Sequence, residues 1–216
     1  MRLSESLRQK VCMHGLYDKI GLIENKLLIY VHELLRWNEK VNLTALRSLE
    51  ECWEKHIEDS LALLAVMDGD EHVLDVGSGA GLPSIPLAIA LTRGRFDSCD
   101  KVAKKITFQK HCKRLLALDN LSPLAGRVED LIQREIRYDL VVSRAFSSLR
   151  EFVAVAAPLV KPGGRIVAMK SEKTAVEIDQ AECVVHSLGW KVQNVESYHL
   201  YPSGSYRALV ILTREN

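Results

Sequence analysis

The stretch HVLDVGSGAGLP, residues 72–83, restricts the fold more than any other part of the chain. An apolar run ends at Asp75-Val76, and Gly77, Gly79 and Gly81 follow at alternate positions ahead of Pro83 and a second apolar run. Glycines in such a turn permit positive φ and let a ligand approach the backbone closely. A buried strand, a glycine turn and a helix in succession form the opening unit of a ligand-binding α/β sheet. The chain then keeps alternating. Strands are predicted over 72–76, 95–99, 121–126, 138–143, 164–169, 191–197 and 206–213, with helices near 82–92, 101–118, 149–157 and 173–188. That alternation implies a doubly wound, mostly parallel sheet with helices on both faces. Only the short segment Tyr201-Pro202-Ser203-Gly204 separates the last two strands. A parallel crossover needs about a dozen residues, so the last strand is expected to be antiparallel.

Residues 1–70 have a different texture. Leu22, Ile23, Leu27, Leu28, Tyr30, Val31, Leu34, Leu35 and Trp37 recur at helical spacing, and Ser48 with Glu51 forms a capping box ahead of a further apolar series. Residues 1–18 read as another amphipathic helix ending near Gly21. The expected organisation is a helical extension, 1–70, packed on an α/β domain, 71–216. Trp37, Trp53 and Trp190 lie in apolar patterns and read as core.

Two details of the glycine turn select among cofactors. The spacing is G-x-G-x-G, not the G-x-G-x-x-G of dinucleotide binders, and Asp75 stands two residues before the first glycine. A carboxylate there would repel a diphosphate and suits a cationic head group, as in S-adenosylmethionine. Gly77, Ser78, Gly79, Gly81 and Leu82 are then cofactor-binding candidates. Asp100, at the end of the second strand, is the candidate for the ribose hydroxyls, with Asp97 pointing outward earlier. Val128 and Glu129 are placed to meet the adenine, although Glu129 or Asp130 could equally cap a helix.

The 216 residues carry a net charge of +1, so any nucleic-acid contact must be local. Such a patch is predicted from Lys101, Lys104 and Lys105, which share a helical sector, together with Lys170 and Arg144 at the ends of later strands. His56, Asp59 and Ser60 share one helical side, with His56 either lining the pocket or satisfied by a neighbouring carbonyl. Arg144 could bind a substrate or cofactor group, or pair with Asp139 or Glu151. No N/D-P-P-Y/F signature of amino-group methylation follows the fourth strand, which reads Ser143-Arg144-Ala145-Phe146. No cysteine nucleophile stands at that edge either. The five cysteines have no metal-ligand spacing and read as buried reduced thiols. No apolar run approaches the ~18 residues of a membrane span, and the N-terminus lacks a signal-peptide core, so a cytoplasmic protein is expected.

Asn42-Leu43-Thr44-Ala45, His56 with Asp59-Ser60, LDVGSGAGLP, Arg127 with Glu129, Ser143-Arg144-Ala145, and Lys161-Pro162-Gly163-Gly164 followed by Ala168-Met169-Lys170 together resemble the bacterial 16S rRNA guanine-N7 methyltransferases, the RsmG or glucose-inhibited division protein B (GidB) family. The resemblance spans most of the chain. Departures are Ser84 and Ser171 where the family usually has glycine, and Cys99-Asp100-Lys101 where it usually has Leu-Asp-Ser. It implies a class I (Rossmann-like) methyltransferase fold, S-adenosylmethionine as cofactor, and 16S rRNA of the small ribosomal subunit as partner. It also implies a monomer with no metal and no membrane association. Guanine N7 carries an unprotonated lone pair, so no general base is expected; Arg144 would act by orientation and charge, and Lys101, Lys104, Lys105, Lys170 and His56 would face RNA. The alternatives are a methyltransferase acting on another RNA, a small molecule or a protein, and a non-catalytic nucleotide-binding module.

Overall fold

A computed structural model describes residues 1–144 and 146–215. In chain order the helices are α1 (Glu5–Met13), α2 (Ile20–Val41), α3 (Leu49–Cys52), α4 (Asp59–Leu61), α5 (Ser84–Ala90), α6 (Ala103–Leu115), α7 (Glu129–Ile132), α8 (Leu149–Ala156) and α9 (Thr174–Ser187). The strands are β1 (His72–Val76), β2 (Arg95–Asp100), β3 (Leu121–Ala125), β4 (Tyr138–Arg144), β5 (Val160–Lys170), β6 (Trp190–His199) and β7 (Tyr206–Arg214). They form one seven-stranded sheet in the order β3-β2-β1-β4-β5-β7-β6. β7 runs antiparallel to both β5 and β6, and the other pairings are parallel.

This order sets the position of the site. The chain leaves β1 toward β2 and β3, then returns to the other side of β1 as β4, so the crevice opens beyond the carboxyl ends of β1 and β4. Register holds those ends level: Val76 pairs with Cys99, Asp100 with Ala125, and Arg144 with Met169.

Side chains alternate across the sheet as the two-residue period requires. Val73, Leu140 and Val142 pack on one face against Leu27, Tyr30 and Leu34 of α2 and Phe108 of α6. Leu74, Val76 and Val141 pack on the other against Phe152 of α8 and Val185 of α9. The N-terminal helices thus share a core with one sheet face. Trp53 and Trp190 are buried, and Trp37 is half-buried with its ring 5.6 Å from that of Phe108.

Several expectations need correction. The first helix stops at Met13, with Gly15 at φ +71°, and Gly21 falls inside the first turn of α2. Leu22 belongs to the solvent face of α2 and not to its apolar stripe. α6 begins at Ala103, so Lys101 precedes the helix. β5 extends back to Val160 through the Pro-Gly-Gly segment, and α7 has too few residues for a periodic signal. Cys183 is exposed and Cys12 half-buried; the other three thiols are buried. Asp97 is half-buried, and its carboxylate accepts the Tyr138 hydroxyl at 3.0 Å and faces His72 Nε2 at 3.1 Å. No helix among the described residues is long and apolar enough to cross a membrane.

Candidate active site

Two cavities meet at Phe146, which lines both. The first, about 360 Å³, lies over the ends of β1, β2 and β3. Its walls include Gly77, Asp100, Lys101, Val102, Lys105, Gly126, Arg127, Val128 and Glu129. Asp100 organises it. One carboxylate oxygen accepts the Gly79 N–H at 2.9 Å and the other the Val102 N–H at 2.8 Å, with Lys105 Nζ 3.7 Å away. A carboxylate offers about four lone-pair positions, so two remain for hydroxyl donors.

The glycine turn is braced from behind. Gln109, fully buried on α6, donates to Ser78 Oγ and Gly79 O, both at 2.8 Å, and accepts from Ser98 Oγ at 2.5 Å. Tyr30 of α2 donates to Ala80 O at 3.0 Å. Gly77 has φ +71° with open space where a Cβ would point, whereas a Cβ on Gly81 would lie 2.5 Å from Ile85 Cδ1. Gly77 therefore leaves room for a ligand, and Gly81 lets α5 pack on the turn. Asp75 is fully buried beneath, with Oδ2 accepting the Ser84 N–H at 3.1 Å and Oδ1 without a partner. Burial pushes its pKa up to about 7.

The second cavity, about 530 Å³, is lined by Thr44, Lys55, His56, Asp59, Arg144, Met169, Lys170 and Arg207 among others. Arg144 Nη1 donates to Lys55 O at 2.9 Å and lies 3.1 Å from His56 Nδ1 and 3.4 Å from Asp59 Oδ2. Asp59 also accepts the Tyr198 hydroxyl at 2.8 Å and faces Arg207 Nε at 3.6 Å. Burial, reinforced by the Arg144 charge, lowers the His56 pKa to about 3, so the imidazole is neutral near pH 7. The same carboxylate and burial raise the Tyr198 phenol far above its ordinary value, burial being the larger cause. Lys55 and His56 lie in a π-helical stretch, Trp53–Glu58, between α3 and α4. Such irregular turns are frequent at functional sites.

A family profile described as GidB, rRNA small subunit methyltransferase G, matches residues 23–204. The chain belongs to this family. A relative from Syntrophotalea carbinolica named ribosomal RNA small subunit methyltransferase G is 39% identical over 210 residues, covering 94% of this chain and 97% of that protein. Among solved structures, TYW2 from M. jannaschii in complex with AdoMet has a TM-score of 0.58 at 20% identity, covering 74% of this chain and 76% of that one. TrmN from Thermus thermophilus has a TM-score of 0.56 at 18% identity over 72% of this chain, which spans 48% of that longer protein. At these identities the structural likenesses show the class I methyltransferase fold.

Within this GidB-family chain, the residues singled out from sequence separate into walls and supports. Gly77, Asp100, Val128 and Glu129 line the first cavity, and Arg144, His56 and Lys170 the second. Asp75, Ser78, Gly79, Gly81 and Leu82 line neither; they shape the turn from within. Val128 takes the N-cap position of α7 with no side-chain cap, and Asp130 Oδ2 instead accepts the Arg127 N–H at 3.3 Å. Lys101 and Lys105 flank the first cavity, while Lys104 is exposed and lines neither. Lys170 is buried and paired with Glu177 at 2.6 Å, which neutralises much of its charge. Arg144 pairs with neither Asp139 nor Glu151: Lys161 and the His72 N–H take Asp139, while Glu151 accepts from Ser147. Ser60 is fully buried and, unlike His56 and Asp59, does not line the second cavity. Ala145 lies outside the described residues.

The buried Asp75 gives a testable pH dependence. Its folded pKa lies above its unfolded value, so its contribution to stability is present at low pH and lost as pH rises through about 7. Denaturation of the ligand-free protein at about pH 5 and about pH 8.5 should show wild type losing stability relative to Asp75→Asn at the higher pH. An equal difference at both pH values would place an ionised Asp75 in the fold throughout.

Proposed function

We propose that the protein transfers the methyl group of S-adenosylmethionine to N7 of a guanine in 16S rRNA. The observation that carries this reading is the pair of cavities that share Phe146 as a wall residue, in a GidB-family sequence. The first cavity fits an adenosine: Asp100 keeps two lone pairs for ribose hydroxyls, Val102 and Val128 give apolar walls, and the ledge at Gly77 carries no side chain. Behind the turn, buried Asp75 keeps Oδ1 unpartnered, and in its ionised form it would favour a cationic head group over a neutral one. When bound, S-adenosylmethionine supplies an electrophilic methyl carbon on a sulfonium.

The chain's own residues then have a limited task. The guanine N7 lone pair forms the new bond to carbon as the carbon–sulfur pair returns to sulfur, and no proton must be removed first. Holding base and methyl group in line can supply up to ~7–11 kcal/mol. Arg144, fixed by Lys55 O, His56 and Asp59, keeps its guanidinium on the cavity wall, where it can orient an oxygen of the substrate. His56 does not act as a base at neutral pH.

With cofactor saturating, single-turnover methylation is therefore expected to be level over about pH 6 to 9, the range of ordinary histidine titration. An ionisation in that range that disappears in a His56 or Asp59 variant would show base catalysis. Nucleosides from 16S rRNA incubated with protein and labelled S-adenosylmethionine should carry the label in 7-methylguanosine; label in another nucleoside would refute the N7 assignment.

Lys101, Lys104 and Lys105 are proposed as a phosphate-binding rim beside the first cavity. Lys104→Ala together with Lys105→Ala should lower the salt slope of RNA binding by about 0.7 for each single-strand phosphate that is no longer neutralised. An unchanged slope would move the RNA path to another edge. On this reading the protein acts in the cytoplasm on the small ribosomal subunit or its rRNA, as a monomer.

A further inference from the structure

The helix α6 carries Lys104, Lys105, Lys110, Lys113 and Arg114 and no acidic residue, in a chain whose net charge is +1. Lys105 faces Asp100; the other four are paired with no acid among the described residues. Lys104, Thr107, Lys110 and Arg114 are exposed, and their spacing sets them in one sector of the helix, opposite the buried Phe108, Gln109 and Cys112. Helix energetics do not account for this stripe. Lys113 and Arg114 in the last turn suit the helix dipole, but Lys104 in the first turn opposes it. Lys110 and Arg114, one turn apart, repel each other, and no acid a turn away on α6 relieves either.

The end of α2 adds to the same surface. α2 runs antiparallel beside α6: Lys26 Nζ donates to Leu116 O at 2.7 Å, Glu33 faces His111 at 2.7 Å, and the Trp37 ring lies 5.6 Å from that of Phe108. One further turn brings the exposed Lys40, with Glu39 exposed beside it, toward Lys104 at the start of α6. Glu33, the acid on this seam, is taken by Arg36 and His111. Because α6 follows the carboxyl end of β2, the stripe leaves the cavity edge of the sheet at Lys104 and descends to Arg114. It runs about 15 Å along the helix axis.

We propose that Lys110 and Arg114 hold phosphates of a double-stranded RNA segment flanking the target guanine, with Lys104 and Lys40 at its junction with the strand that enters the cavities. This inference rests on the rRNA-methyltransferase reading of those cavities. Surfaces that hold single strands combine cations with aromatic rings on which bases stack. The stripe offers no such ring: Phe108 is buried, and Trp37 is half-buried against Phe108 and His111. A duplex has its bases already stacked and presents phosphates along its length, which unpaired cations spaced along a helix can meet. About 15 Å matches roughly five base-pair steps.

The test uses full-length protein, an RNA duplex of about 16 base pairs, and each of its strands alone. Wild type should bind the duplex more tightly than either strand. Lys110→Ala together with Arg114→Ala should lower the salt slope of duplex binding by about 0.9 for each phosphate no longer neutralised, and weaken it at least about tenfold at about 0.1 M salt. Affinity for the single strands and for S-adenosylhomocysteine should stay at the wild-type value. On 16S rRNA the same variant should raise KM and retain kcat. Lys191→Glu, on β6 at the other edge of the sheet, should change none of these. An unchanged slope in the double variant, or an equal loss in Lys191→Glu, overturns the stripe. A wild type that prefers single strands, or that binds polyglutamate as tightly as the duplex, overturns double-stranded RNA as its occupant. A wild type that binds the duplex as expected but methylates no RNA overturns the function of the cavities and not the stripe.

Discussion

Asp100→Ala is expected to weaken binding of S-adenosylmethionine and S-adenosylhomocysteine about ten- to 150-fold, equivalent to about 1.5–3 kcal/mol for hydrogen bonds to a charged group. The loss has two sources. Ribose hydroxyls would lose their charged acceptor, and the Gly79 and Val102 N–H groups would lose the oxygens that now hold the turn in place. Asp100→Asn keeps one acceptor and should fall between wild type and alanine. Calorimetric titration of the purified variants measures this directly. Unchanged affinity in Asp100→Ala would mean that the ribose lies elsewhere, and binding of NAD in place of S-adenosylmethionine would overturn the cofactor assignment.

The largest effect on stability is expected from Phe108→Ala. Phe108 is fully buried on α6, and its ring lies 6.1 Å from that of Tyr30 and 5.6 Å from that of Trp37, both on α2. It therefore joins the N-terminal helices to the sheet domain as well as filling space. Truncation should cost about 3–5 kcal/mol, a large share of the typical stability of a domain. At this chain length that lowers Tm by about 6–20 °C. Thermal unfolding followed by circular dichroism or calorimetry tests it. A loss below about 1 kcal/mol would show that the helical layer is held chiefly by other residues. Because Tyr30 also bonds to Ala80 in the glycine turn, the same variant should loosen the cofactor site before global unfolding.

What the sequence made legible follows the length scale of each interaction. β1, the glycine turn and α5 were readable because strand, turn and helix are consecutive and each has its own residue chemistry. The apolar run 72–76 coincides with the observed bounds of β1, His72–Val76. The antiparallel end of the sheet was readable because a short connection excludes a crossover. Gln109 was not, since in the sequence QKHCK it resembles any polar residue of a surface helix, and only the fold turns it toward Ser78 and Gly79. The Asp59 cluster was also hidden. Its members come from α4, β4, β6 and β7, and Tyr198 is 139 residues from Asp59. For Arg144 the sequence offers nearby acids, Asp139 and Glu151, although Asp139 on β4 pairs with Lys161 and Glu151 on α8 accepts from Ser147. The turn supports a similar distinction for Ser78 and Leu82. Belonging to the motif placed them at the site, but a tight turn must direct some side chains inward to fix the rest, and these two are buried.

Mass mapping of modified nucleotides in 16S rRNA, from cells with the gene and from cells without it, decides the central claim. One guanine should carry a 7-methyl group only when the gene is present, and the purified protein with S-adenosylmethionine should restore it on RNA from the deleted strain. An identical set of 7-methylguanosines in both strains, with no methyl transfer to the deleted-strain RNA in vitro, would contradict the claim.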